Sequence, residues 1–243
     1  MKTAVILTAL AVEQAAVHAH LADLHEVVHE AGTVYQVGTF ASPTTDWTVA
    51  TALIGAGNAG AAFEAERAVR QFDPEVTLFV GVAGGIKDVA LGDVVAATDV
   101  YGYHSGKAGE VFTPRPDVGK SSYALVQRAQ VEAQSGNWLA RRRDGEGEPS
   151  AVVAPIAAGE QVVASTRAET YAFIRAHYDR AVAVEMEGRG FLAALHANQK
   201  VGALVVRGIS DLIDAKAASD AEGWQDRASA NAAAFAFAML AKL

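Results

Sequence analysis

The sequence predicts an α/β fold: a three-layer α/β/α arrangement around a central mixed, twisted sheet. Three observations predict it. Short apolar runs alternate with helical patterns along the chain. Most of those runs are apolar at every position rather than every second one, as expected when both faces of a sheet are covered. Hydrophobic residues make up 51% of the chain but aromatic ones only 7%. The core is therefore built mainly from Ala, Val, Leu and Ile, which suits helices packed closely on a sheet.

Seven apolar runs read as buried strands. They are Ala4–Thr8, Trp47–Ile54, Val76–Val82, Val94–Tyr103, Val152–Ala157, Ala181–Glu185 and Ala203–Arg207. Between them the pattern predicts helices over 11–30, 59–72, 121–134, 167–177, 188–198 and 222–242. For the first, Val17, Leu21, Leu24 and Val28 follow the i, i+4, i+7, i+11 spacing of one buried helix face. The stretch Arg141–Pro149 (RRRDGEGEP) is the most polar and reads as a surface loop, because the strand–helix pattern resumes beyond it. No internal repeat is visible. We expect one domain over residues 1–243.

Charge and composition narrow the function. A net charge of −8 opposes a duplex nucleic-acid partner, whose phosphates demand a basic face. It also leaves no polybasic patch for anionic lipids, and no apolar run approaches the ~18 residues needed to span a membrane. Cysteine is absent, which removes disulfides, thiolate metal sites and a Cys nucleophile and fits a cytoplasmic protein. Lys2 and the apolar run Ala4–Val12, with Ala9-Leu10-Ala11, loosely imitate a secretory signal. The run is short and passes straight into a helical pattern, so it reads as the first buried strand.

Two motifs invite a reading that their context opposes. His25-Glu26-Val27-Val28-His29 matches H-E-x-x-H, with Gly32 where a metzincin carries its glycine. The third-ligand position is Tyr35, however, and the pair is expected on an exposed flank of the first helix. Gly55-Ala56-Gly57-Asn58-Ala59-Gly60 is a G-x-G-x-x-G between a strand and a helix. A dinucleotide site also needs an acid ending the next strand to hold the ribose. That strand ends Gly81-Val82-Ala83-Gly84-Gly85 instead. The alternative is a tight turn whose backbone N–H groups face a small anion, water or ribose.

The carboxylates are harder to set aside. Glu13 lies in the first turn of helix one, on the stripe that includes Leu10 and Val17; Glu185 and Glu187 follow Ala181–Val184; Asp211 follows Leu204–Arg207. If those strands are parallel, the acids lie at carboxyl ends, where α/β sheets bind ligands. Acids are rarely set beside buried strands without a partner or a function.

In order along nearly the whole chain, five segments carry a resemblance. They are Ala9–Glu13; Gly55-Ala56-Gly57; Gly81–Gly85 with Leu91-Gly92-Asp93-Val94-Val95; Val184-Glu185-Met186-Glu187-Gly188; and Val206-Arg207-Gly208-Ile209-Ser210-Asp211. They resemble the methylthioadenosine/S-adenosylhomocysteine nucleosidases of the purine and uridine phosphorylase superfamily. The resemblance implies a partly closed sheet, a purine nucleoside as small-molecule partner, no metal or organic cofactor, and a homodimer. It implies that Asp211 protonates N7 of the purine, oriented by Ser210, since an adenine anion leaves poorly. Such an acid needs a raised pKa in a dry pocket. It further implies that Glu13 activates water at C1′ with Arg207 steadying its carboxylate, that Glu187 holds the ribose 2′- and 3′-hydroxyls, and that Met186 packs on the sugar. Glu185, Val82, Gly84, Val162 and Val163 are implied around the substrate.

Two positions depart from that pattern. Val82 stands where the nucleosidases usually carry Ser, and Val162 where they usually stack a Phe on the purine. The superfamily's phosphorylases supply an Arg just before the Gly-rich strand end, whereas this chain reads Leu78-Phe79-Val80-Gly81. Without that cation a phosphate dianion is poorly held, so hydrolysis of an adenine nucleoside is the expected reaction. Phosphorolysis and a non-catalytic nucleoside sensor are the rivals. The group on the ribose 5′ carbon stays open. Val162 and Phe112 could form an apolar pocket for a thioether. Tyr101–Lys120 instead concentrates His104, Lys107, Arg115 and Lys120 in one expected loop, which could clamp the phosphates of AMP or ATP.

Overall fold

The first strand, β1 (Lys2–Thr8), alternates its side chains across the sheet. Ala4 and Ile6 enter one core cluster and Val5 and Leu7 the other, and all four are fully buried. A strand covered on both faces must be apolar throughout, as this one is. The computed structural model describes all residues except 116, 143–146, 216–218 and 220–221. Part of the loop expected over Arg141–Pro149 thus lies outside the described residues.

Among the described residues nine strands run through one mixed sheet, and a tenth, β9 (Asp117–Lys120), pairs with the strand that is sixth in chain order. β1 lies parallel to both β4 (Trp47–Leu53) and β5 (Val76–Gly85). β5 is also parallel to β12 (Gly202–Leu212), which runs antiparallel to β6 (Val94–Gly102). β10 (Ala151–Ala158) follows parallel to β6, and β11 (Ala183–Glu185) parallel to β10. β11 then pairs antiparallel with β5. The five strands β5, β12, β6, β10 and β11 therefore close a ring. β1, β4, β3 (Val34–Phe40) and β2 (Ala22–Val28) extend from it as an open wing.

Helices cover both faces. α2 (Asn58–Phe72) contributes Ala61, Ala65 and Ala68 to one cluster, and α5 (Gly188–Ala197) adds Phe191, Leu192 and Leu195. On the other face lie Val17 of α1 (Ala11–His18), Leu125 and Ala129 of α3 (Tyr123–Ser135), and the run 232–240 of α6 (Trp224–Leu240). α6 is apolar nearly all round because it is buried nearly all round. α4 (Glu169–His177) packs Ile174 into a smaller cluster with Tyr103 and Tyr178. No helix among the described residues is long and apolar enough to cross a membrane.

The structure corrects the expected helix over 11–30. α1 ends at His18, and the chain then forms the hairpin β2–β3, whose second strand the apolar runs did not reveal. Val17 is fully buried, but Leu24 is 42% and Val28 58% exposed, so the helical spacing was accidental beyond the first turns. The turn His29–Thr33, with Gly32 at φ 92°, and the Val-rich Val27-Val28 segment favour extended chain once β3 offers hydrogen bonds. His25 therefore sits on an edge strand and His29 in the turn just beyond its end, not one helical turn apart. The expected loop after β6 also carries structure: a short hairpin of β7 (Gly106–Lys107) and β8 (Thr113–Pro114), then β9, which sets Lys120 opposite Asp99.

Phe237 anchors the α6 face. It is fully buried, stacks on His20 at 4.6 Å and meets Phe40 edge-on at 4.8 Å. Phe237→Ala is expected to cost about 3–5 kcal/mol, read from the shift of the urea unfolding midpoint at unchanged slope.

Candidate active site

The site forms where the ring closes against α1. β12 extends five residues beyond the predicted Ala203–Arg207 and carries Asp211 inside the strand rather than after it. Its register slips between Ile209, opposite Ala83, and Asp211, opposite Gly84, leaving Ser210 as the extra residue of a bulge. Bulges re-aim side chains next to sites. Ser210 Oγ lies 3.1 Å from Asp211 Oδ1, and both residues are buried. β11 runs antiparallel to β5, so Glu185 does not reach the site as the carboxyl end of a strand parallel to β5; ring closure brings it there.

A cavity of about 210 Å³ collects most of the residues singled out in the sequence. Its lining includes Glu13, Val82, Gly84, Val162 and Val163. Glu185, Met186, Glu187, Ser210 and Asp211 complete the set. Val163 is buried, while Val162 is 63% exposed at the mouth. Leu10, Ala56 and Gln161 line the cavity too and were missed. They are a capping-region Leu, a turn Ala and a loop Gln, residue types with no chemical signature.

Glu13 is 2% exposed and held by three backbone amides. Oε2 accepts from Ala9 N (2.7 Å) and Leu10 N (2.9 Å), and Oε1 accepts from Val82 N (2.8 Å). Burial pushes its carboxyl above the usual range, and the Arg207 charge and these amides oppose the shift. Glu13 also caps the first turn of α1, where the helix dipole favours an anion.

Arg207 does not line the cavity; it lies behind it, fully buried. Its Nη2 donates to Glu185 Oε2 and, at 2.9 Å, to Glu187 Oε2. The guanidinium stacks over the Phe79 ring at 4.6 Å. Arg207 acts on Glu13 through charge, while its hydrogen bonds go to the two glutamates. A Cβ at Gly81 would lie 2.3 Å from Arg207 Nη1 and 2.5 Å from Glu13 Oε1, so only glycine admits both groups.

Glu185 is locked from three sides. Its carboxylate accepts from Glu187 N (3.0 Å) and twice from Gly188 N (2.9 and 2.8 Å), besides Arg207. Burial pushes this carboxyl up, with Arg207 as the main counterweight. Glu187 accepts from Gly57 N at 3.0 Å through Oε1. The G-x-G-x-x-G turn thus presents its N–H to a protein carboxylate rather than to a cofactor.

Of the residues weighed for the ribose 5′ substituent, Val162 lines this cavity and the others do not. Phe112 lines a separate one of about 420 Å³ with Tyr103, His104, Glu169, Thr170 and Phe173, which corrects its expected place beside Val162. Lys107 and Arg115 are exposed and line neither cavity; Lys120 lies in β9.

Removing one partner of a buried ion network leaves charge uncompensated. Arg207→Met is expected to destabilise the fold by about 3–5 kcal/mol at pH 7. The lost cation raises the folded-state pKa of Glu13 and Glu185 further above the unfolded values. A raised carboxyl contributes stability below its unfolded pKa and loses it as pH rises through the folded pKa. The deficit should therefore shrink on acidification, measured by urea unfolding at neutral and acid pH.

Comparisons with known proteins agree with this architecture. The solved structure of 5'-methylthioadenosine/S-adenosylhomocysteine nucleosidase from Neisseria meningitidis, in complex with methylthio-immucillin-A, superposes with a TM-score of 0.81. The two are 24% identical, and the match covers 100% of each chain. A futalosine hydrolase mutant of Helicobacter pylori strain 26695 gives a TM-score of 0.82 at 21% identity, again over 100% of both. In sequence, the ATP nucleosidase Cap17 of Escherichia coli is 29% identical over 177 residues, 65% of this chain and 35% of that protein. The chain therefore spans about a third of the length of this curated relative. The family model of the Phosphorylase superfamily matches residues 3–241, and the chain belongs to that superfamily.

Proposed function

We propose that the chain is a purine nucleosidase that hydrolyses the N-glycosidic bond of an adenine nucleoside of the methylthioadenosine or S-adenosylhomocysteine type. The observation that carries this reading is the convergence of Glu13, Glu187 and Asp211 on one cavity. In it, Asp211 donates a proton to N7 while Ser210 orients its carboxyl, so adenine leaves as a neutral base. Glu13 is the base for the attacking water. Among the described residues Oε1 takes a single hydrogen bond, from Val82 N, and keeps a lone pair for that water. Its burial makes it more basic than an exposed carboxylate, and the Arg207 charge behind it limits the shift. Glu187, fixed by Gly57 N and Arg207, holds the ribose 2′- and 3′-hydroxyls with its remaining lone pairs. Met186 packs on the sugar. Positive charge growing on an oxocarbenium-like ribose is favoured by the surrounding carboxylates.

Hydrolysis fits this lining better than phosphorolysis. Among the described residues the cavity is walled by Glu13, Glu185, Glu187 and Asp211 with no basic side chain, and Arg207 is committed to two glutamates behind it. A phosphate dianion there would meet these carboxylates with no cation among the described lining residues. The same argument disfavours a nucleotide, which is the second reading because the Cap17 relative is an ATP nucleosidase. The proposal takes residues 1–243 as one domain of a cytoplasmic homodimer with no metal or organic cofactor.

Asp211→Asn and Glu13→Gln should each lower kcat by on the order of 10²–10⁴ with the fold intact. Near-wild-type base release by either variant would show that the roles are misassigned. Comparing kcat/KM for methylthioadenosine, adenosine, AMP and ATP, with and without phosphate, tests the substrate. Phosphate-independent release and preference for the nucleosides are expected. Ribose-1-phosphate as product would overturn hydrolysis. A preference for AMP and ATP lost on Lys107→Ala or Arg115→Ala would overturn the nucleoside assignment.

A further inference from the structure

The G-x-G-x-x-G turn does more than place one N–H on Glu187. Asn58 is the first residue of α2 and follows Gly57, which holds φ 118°. Its Nδ2 donates to the Gly159 carbonyl (3.3 Å) and to Glu160 Oε1 (2.8 Å). Its Oδ1 accepts from Gly190 N at 2.9 Å, three residues beyond Glu187 in α5. The contact with α5 is close: a Cβ at Gly190 would lie 1.9 Å from the Asn58 carbonyl oxygen. One amide side chain therefore joins three segments around the cavity.

The segment it grips is a wall of the site. Gln161, Val162 and Val163 line the cavity directly after Gly159 and Glu160. Glu160 N also donates to His104 Nδ1 (3.2 Å), and Thr170 Oγ1 donates to Gln161 Oε1 (3.0 Å). These bonds fix the outer side of the wall, whereas Asn58 ties its inner side to α5 and to the turn that carries Gly57.

We propose that Asn58 is a positioning residue: it sets the distance between the 159–163 wall and the Glu187 carboxylate, and so governs affinity for the ribose diol. The inference rests on the reading of Glu187 as the group that holds the 2′- and 3′-hydroxyls. Glu187 depends on Gly57 N for one oxygen, and Gly57 is anchored by its neighbour. Releasing Asn58 frees the turn and the wall together. The penalty falls on ligands that use Glu187 and spares those that do not.

The test uses a C-nucleoside analogue of adenosine, whose carbon–carbon linkage resists cleavage, and its 2′,3′-dideoxy form. Asn58→Ala should weaken the ribo analogue about tenfold, as expected from lost hydrogen bonds, and the dideoxy form by no more than about twofold. Glu160→Gln keeps an acceptor oxygen for Asn58 and should bind both within about twofold of wild type. Amide hydrogen exchange of the ligand-free Asn58→Ala protein should quicken in 159–163 and 187–190 and stay unchanged in α3, which also reports that the fold is intact. Equal weakening of both analogues, or unchanged exchange in the two segments, overturns the inference. A wild type that binds the ribo analogue, shows these responses and yet releases no base from any nucleoside overturns the nucleosidase reading alone. A wild type that binds neither analogue overturns the ribose role of Glu187 and this inference with it.

Discussion

The site depends on one buried cation. Arg207 is fully enclosed by protein, and its Nη2 alone serves two carboxylates. Several buried acids in one cavity repel one another and resist ionisation. A guanidinium among them lowers that cost, and its fixed plane decides where the oxygens stand. Phe79 supports the plane from below and Gly81 leaves it room. The glycine-rich end of β5 is thus a space requirement of the ion network as well as a strand terminus.

The acids also hold the local fold. Glu13 terminates unpaired amides at the start of α1 and accepts from the neighbouring strand through Val82. Glu185 satisfies amides at the turn into α5. These backbone bonds, with Arg207 on Glu185, keep the Glu13 and Glu185 carboxylates in place. A site assembled this way is rigid because loosening an acid also frays a helix start.

Much of the site was legible in the chain because its chemistry is local. Glu13, Glu185, Glu187 and Asp211 each stand beside an apolar run, a placement that demands an explanation, and Ser210 adjoins Asp211. Asn58 and Gln161 carried no such signal, since an amide in a turn is ordinary until its partners are known. Arg207 was visible, but its partners were not, because a sequence does not say which of several nearby acids a guanidinium will meet. Phe112 looked like a pocket residue by hydrophobicity alone, and the β7–β8 hairpin carries it to another cavity.

What the sequence determined by itself is the alternation of buried strands with helices, from continuous apolar runs and Ala-rich helical stripes that fold by local pattern. It also determined the set of acids. What only the tertiary structure decided is how those pieces meet. The edge strand β2 followed a helical spacing and became extended because β3 could pair with it. β11, three residues long, closes the ring through contacts with β10 and β5 that no local pattern encodes. The bulge at Ser210 arises only when β12 is laid against β5. Hydrophobic periodicity is a property of neighbouring residues, whereas strand partnership and ion pairing are settled between residues far apart in the chain.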